Sequence, residues 1–119
     1  MLIDKMKSRV NADARLVHRG RWVNLTFILG IDNDDYLISI VAGKITTIRK
    51  RHLATDTSEF SVRASAKSWA KHWRAVPPRD YHDIFAMLPK QIAKIDGRLD
   101  PLMQNLQYFK DIIAKMRTK

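Results

Sequence analysis

Cysteine is absent from this 119-residue chain, and its absence removes disulfides, thiolate metal sites, iron–sulfur clusters and cysteine nucleophiles together. Glutamate is nearly absent, with Glu59 the sole example, and glycine and proline occur four times each. With 45% hydrophobic residues, so little Gly and Pro excludes collagen-like, low-complexity and disordered chains. No apolar run approaches the ~18 to 20 residues that cross a bilayer. The opening Met1-Leu2-Ile3-Asp4-Lys5 is charged where a secretory signal carries its apolar stretch. The expectation is one soluble, cytoplasmic domain over residues 1–119.

Acidic charge is scarce relative to basic: 22 Lys and Arg against 12 Asp and Glu, a formal net charge of +10. Up to residue 60 the balance is 10 against 7, and beyond it 12 against 5. The densest run is Arg49-Lys50-Arg51-His52, followed by scattered Lys67, Lys71, Arg74, Arg79, Lys90 and Lys94, then Lys110 to Lys119. Such a surface attracts polyanions, either nucleic acid or an anionic membrane. Spaced Lys and Arg also decorate ordinary solvated helix faces.

Periodicity orders the chain. Leu2, Ile3, Met6, Val10, Ala14 and Val17 recur at threes and fours, predicting an N-terminal helix over residues 1–17. From Arg21 to Leu29 the pattern alternates, with Val23, Leu25, Phe27 and Leu29 on one side and Trp22, Asn24 and Thr26 on the other, as in a half-buried strand. A polar turn over Gly30 to Asp35 leads to a strand over Tyr36 to Val41. Ala42-Gly43-Lys44 then reverses the chain into Ile45 to Arg49, because Gly tolerates positive φ. A three-stranded meander follows. A fourth strand spans Glu59 to Ala64, after which Ser65 caps a helix bearing Ala66, Trp69, Ala70, Trp73 and Val76 that Pro77-Pro78 ends. Asp80 heads a short second helix with Tyr81, Ile84, Phe85, Met87 and Leu88, cut off by Pro89. A strand over Ile92 to Ile95 ends at Gly97. A last helix follows, capped by Asp100 with Pro101 in its first turn and carrying Leu102, Met103, Leu106, Phe109, Ile112, Ile113 and Met116. The fold class expected is α+β, a five-stranded sheet with helices on one face.

Motifs for catalysis are few. His18, His52, His72 and His82 are dispersed, and none stands at metal-ligand spacing, so neither a metal nor a cofactor is expected. Tyr81-His82-Asp83 offers acid/base groups, but neighbours on a helix point in different directions, so Asp83 does not orient His82 by adjacency. Asp32, Asn33, Asp34 and Asp35 resemble the start of a calcium loop, yet Leu37 and Gly43 stand where Gly and Glu are required. Phosphate loops and Gly-x-Ser-x-Gly elbows are lacking. What is abundant is apolar bulk in the second half: Trp69, Trp73, Tyr81, Phe85, Met87, Met103, Tyr108, Phe109 and Met116. These serve an ordinary core or an adaptable apolar cavity.

Three segments together resemble the sterol carrier protein family, type two, the sterol-binding domain: the strands Val23 to Leu29 and Tyr36 to Val41 with Ala42-Gly43-Lys44; Thr55-Asp56-Thr57-Ser58 leading into strand and helix; and Lys90 to Leu99 followed by the helix of Leu102, Met103 and Leu106. The resemblance spans residues 20–116, as of a bacterial-type single-domain member. It departs from the family pattern at Pro89-Lys90-Gln91, where a glycine is usual, and in its extra aromatics from Trp69 to Asp83. The resemblance implies non-catalytic binding or transfer of a sterol-like, fatty acyl or other lipid in a tunnel between sheet and helices. Phe27 and Tyr36 would line its sheet side, and Trp69, Trp73, Phe85, Met103, Leu106 and Phe109 its helix side. An apolar small molecule or lipid is then the partner, with transient docking on an anionic membrane. The alternatives are a nucleic-acid or anionic-surface module driven by the charge, and a small-molecule enzyme using His82 and Asp83. Oligomeric state is not legible.

Overall fold

The computed structural model describes Ile3, residues 5–51 and residues 57–117. Met1, Leu2, Asp4, His52, Thr55, Asp56 and Lys119, each of which carried part of an expectation above, lie outside the described residues. The strands are β1 (Leu25–Ile31), β2 (Asp34–Val41), β3 (Lys44–Lys50), β4 (Phe60–Ala64) and β5 (Ala93–Gly97), in spatial order β3-β2-β1-β4-β5. All neighbours are antiparallel except β1 and β4, which run parallel. The helices are α1 (Lys5–Asn11), α2 (Ala14–Arg19), α3 (Ala66–His72), α4 (Asp100–Gln104) and α5 (Leu106–Ala114). The α+β class and the five-stranded sheet are as expected.

Alternation decides which sheet face is covered. Phe27 pairs with Ile38, Leu29 with Tyr36, and Leu29 with Val62 across the parallel pair. These side chains join the core with Met6, Val10 and Leu16 from α1 and α2, Trp69 from α3, Leu102 from α4 and Phe109, Ile112 and Ile113 from α5. On the opposite face the Thr26 and Ser39 hydroxyls lie 2.9 Å apart, and Arg63 donates to Asp35 at 3.1 and 3.2 Å and to Ser61 at 2.7 Å. The β2–β3 hairpin turns at Ala42 and Gly43, with φ of 51° and 81°; positive φ at both central residues is the turn whose twist matches a hairpin.

Several boundaries differ from the periodicity. The helix expected over 1–17 is two helices, because Asp13 adopts extended φ/ψ and its Oδ1 accepts from Leu16 N at 3.1 Å, capping a new helix in mid-pattern. β1 continues to Ile31, so the turn shrinks to two residues, with Asp32 at φ 54°. Ser65 caps α3 as expected, its Oγ accepting from Ser68 N at 3.1 Å, but the helix closes at His72, short of Pro77. No helix forms over Asp80 to Leu88. The segment holds turns with i to i+3 bonds such as Ala86 N to Asp83 O at 3.0 Å, and Asp80 sits at φ 72°. Prolines on both sides leave too few residues to offset the cost of helix nucleation, although Ile84 and Met87 are still buried. The closing helix breaks at Asn105 (φ −127°, ψ 36°), and Asp100 lies in the first turn of α4 instead of capping it.

Candidate functional site

The interior between the sheet and α5 is an aromatic cluster. Phe27 stacks on Phe60 with centroids 5.3 Å apart, and Phe109 meets both edge-on at 5.6 and 5.1 Å. The cluster exists because the parallel register sets the core positions of β1 and β4 side by side, while α5 presents Phe109 with Tyr108, Ile112 and Ile113 as its buried set. Beside it, Trp69 and Trp73 stack at 5.3 Å, four residues apart at the end of α3. Both indoles donate 2.8 Å bonds, Trp69 Nε1 to the Gly30 carbonyl and Trp73 Nε1 to the Ile113 carbonyl. A buried indole needs such a partner, and these two tie α3 to the sheet and to α5. Tyr108 Oη likewise donates to the Gly43 carbonyl at 2.7 Å, and burial pushes its phenol up to about 12.

His72 is the unusual polar group. It is 2% exposed, its Nδ1 lies 2.7 Å from the Tyr81 carbonyl, and its Nε2 is buried without a hydrogen-bond partner among the described residues. A carbonyl partner fixes the proton on Nδ1. Desolvation holds the imidazole below its usual pKa, and the Arg117 charge acts in the same direction against the opposing bond to Tyr81.

A recess opens at the edge of β5. It has a volume of about 570 Å³ and is lined by Leu88, Gln91, Ala93, Lys94 and Ile95. Ile95, Phe85 and Leu106 are half-buried and pack against the core. Lys110, one helical turn after Leu106, places its ammonium 5.2 Å over the Phe85 ring and 2.8 Å from an Asp83 carboxylate oxygen. Burial alone would raise the Asp83 carboxyl, but the bonds from Lys110 and from Phe85 N outweigh it and lower it.

Of the residues assigned to a ligand from the sequence, Phe27, Trp69 and Phe109 are fully buried, Tyr36 and Trp73 nearly so, and Phe85 and Leu106 stand half-buried. Met103 is 54% exposed and does not join them. Phe60, Tyr108, Leu88, Ile95 and Lys110 belong to the same neighbourhood and were not assigned; for Phe60 the alternation with Val62 carried the signal. His82 is exposed and Asp83 is engaged by Lys110 and Phe85, so the two are not set as an acid/base pair. Among the described residues no three His, Asp or Glu gather as metal ligands.

No family model and no curated protein matches the chain. Solved structures do match. A crystal structure of sterol carrier protein 2 superposes with a TM-score of 0.76 at 9% identity, covering 98% of this chain and 93% of that one. A ubiquinone synthesis protein, UbiJ-SCP2, gives 0.61 at 13% identity over 95% and 88%. The palmitated SCP2L2 of Aedes aegypti gives 0.58 at 14% identity over 94% and 90%. The chain therefore has the SCP2-type fold, and most of its length takes part in it.

Proposed function

We propose that this protein is a cytoplasmic, non-catalytic carrier of an apolar lipid-like ligand, sterol-like or fatty acyl, held between the sheet and α3 and α5 and taken up from anionic membranes. The observation that carries the reading is the set of half-buried apolar side chains Phe85, Ile95 and Leu106 packed against the core, with Leu88 and Ile95 lining a recess at the edge of β5. Phe27, Tyr36, Trp69, Trp73 and Phe109 form the walls that a ligand meets once Phe109 yields. The names of similarly folded proteins support the ligand class: one is a sterol carrier protein and another is palmitated. Apolar burial stabilises a bound chain by about 25 cal/mol per Å², enough for binding after association costs when most of the ligand leaves water. The test is extraction of lipid from freshly purified protein with mass spectrometry, together with displacement of a fluorescent fatty acid. Co-purified lipid and saturable displacement are expected; the absence of both would overturn the reading.

A further inference from the structure

Among the described residues five large hydrophobic side chains are exposed: Trp22 (80%), Val41 (54%), Val76 (85%), Leu99 (43%) and Met103 (54%). Four of them belong to segments at one end of the sheet. Trp22 lies in the turn three residues before β1, and Val41 closes β2 at the same end, since Asn24 Oδ1 accepts from Ala42 N at 2.9 Å and Gly43 N donates to Val23 O at 3.4 Å. β4 starts at this same end, because Glu59 N donates to Thr26 O at 2.9 Å, and β5 finishes there, with Gly97 paired to Phe60 and Arg98 N bonded to Glu59 O at 2.7 Å. Leu99 comes next, then α4, bearing Met103; α5 follows, and its Tyr108 returns to this end, reaching the Gly43 carbonyl at 2.7 Å while its ring takes the space a side chain on Gly20 would need.

Cations stand among these apolar groups. The Arg21 guanidinium lies 5.4 Å over the Trp22 ring, Lys44 pairs with Val41 in the β2–β3 register, and Arg19 and Arg98 flank them. The acids at this end are Asp111, paired with Arg19; Glu59, paired with Arg98 at 3.4 Å; and Asp100. We infer that this end of the molecule, with Trp22, Val41, Leu99 and Met103, is the surface that seats the protein on an anionic lipid bilayer. An indole prefers the bilayer interface, where its ring is half in hydrocarbon and its polar edge is wet, and Arg and Lys beside it reach the lipid phosphates. The overall +10 acts in the same direction. A second copy of the chain fits less well, because pairing this end with itself would bring two faces of like positive charge together. Nucleic acid fits less well too, because Val41, Leu99 and Met103 offer bases no ring to stack on.

The inference rests on the membrane part of the proposed function and not on its ligand. It is tested by co-sedimentation of the full chain with vesicles of phosphatidylcholine alone and of phosphatidylcholine with phosphatidylglycerol. Trp emission is recorded alongside, because Trp22 is the exposed indole while Trp69 and Trp73 are buried. The expected result is binding to the anionic vesicles with a blue shift of the emission, weakened about tenfold or more in Trp22→Ala/Met103→Ser. Circular dichroism should be unchanged, since both side chains are exposed. Equal binding by the double variant overturns the docking surface and leaves membrane loading standing. No binding to either vesicle overturns both. A change in sedimentation mass on substitution assigns the patch to self-association, and competition by single-stranded oligonucleotide assigns it to nucleic acid; either outcome overturns the bilayer.

Discussion

Phe109→Ala separates an aromatic cluster that is only core from one that also gates a ligand. Phe109 is fully buried and touches Phe27 and Phe60 edge-on at 5.6 and 5.1 Å and Tyr108 at 5.3 Å. Deleting a buried Phe ring costs about 3–5 kcal/mol, the lost transfer energy plus the cavity left behind, and each edge-to-face pair adds within that figure about 0.5–1.5 kcal/mol. The upper part of the range applies here, because neighbours on two strands and on α5 itself are held by backbone pairing and collapse poorly. For a chain of this size the midpoint of thermal unfolding should fall by about 10–20 °C. The assay is urea and thermal unfolding of both forms with and without palmitate. If Phe109 gates the interior, palmitate fills the cavity and stabilises the variant by about 2.7 kcal/mol once free ligand reaches ~100 times the variant's Kd, and the parent by less at the same concentration. A loss below about 1 kcal/mol would refute the packing argument. A normal loss with no extra palmitate effect would refute the gate.

Three other substitutions read separate parts of the structure. His72 is held neutral by burial, so the unfolded chain binds a proton from its ordinary pKa of 6.5 downward while the folded chain resists. Stability should be flat above that pH and fall as pH drops through it, and His72→Phe should flatten the acid limb of a denaturant-midpoint profile; an unchanged slope would contradict the assignment. Tyr108→Phe removes the donor to the Gly43 carbonyl and should lower stability by about 1–3 kcal/mol. Because burial raises the folded phenol to about 12 from 10.0, only the parent should also lose stability as pH climbs past 10, and absorbance-monitored titration of urea midpoints checks both effects. Gly20→Ala places a methyl where the Tyr108 ring lies and should cost about 1–3 kcal/mol by overpacking, most of it relieved in the double variant with Tyr108→Ala. A fully additive cycle would show that the two do not share that space.

Strands were more legible than helices, and the reason is visible in particular residues. The alternation of Leu25, Phe27 and Leu29 is local and survives in β1, although Arg21 to Asn24 precede the strand as a turn and link, and the Ala42-Gly43 reversal and the Ser65 cap survive too, because each is decided by the residues that compose it. The parallel neighbour relation of β1 and β4 has no local signature; it arises where Ile28 meets Ser61 across a crossover. Helix limits failed where two local signals competed. Asp13 sits inside an unbroken apolar period, and its capping bond prevails over the period. Between Pro78 and Pro89 the apolar spacing of a helix is present, yet the chain buries Ile84 and Met87 from turns.

The site was half legible for a related reason. Helical periodicity identifies an apolar face only while the helix keeps its phase, and the break at Asn105 resets it. Leu102 is buried from α4, Tyr108, Phe109, Ile112 and Ile113 are buried from α5, and Met103, which a continuous helix would carry beside Leu106, turns to solvent. The same break leaves Met103 exposed on α4, the helix that follows Leu99. Alternation predicts Trp22 facing outward from a strand opposite Val23, but β1 starts only at Leu25, and Trp22 is exposed from the turn before it. What alternation leaves out is its company: Val41 arrives through a hairpin register and Leu99 through a strand paired at the far side of β4. A lone exposed indole needs no explanation. One that shares an end of the fold with three other exposed apolar side chains, under a stacked guanidinium, is what carries the proposed bilayer contact, and that grouping follows from the strand order and not from any one segment.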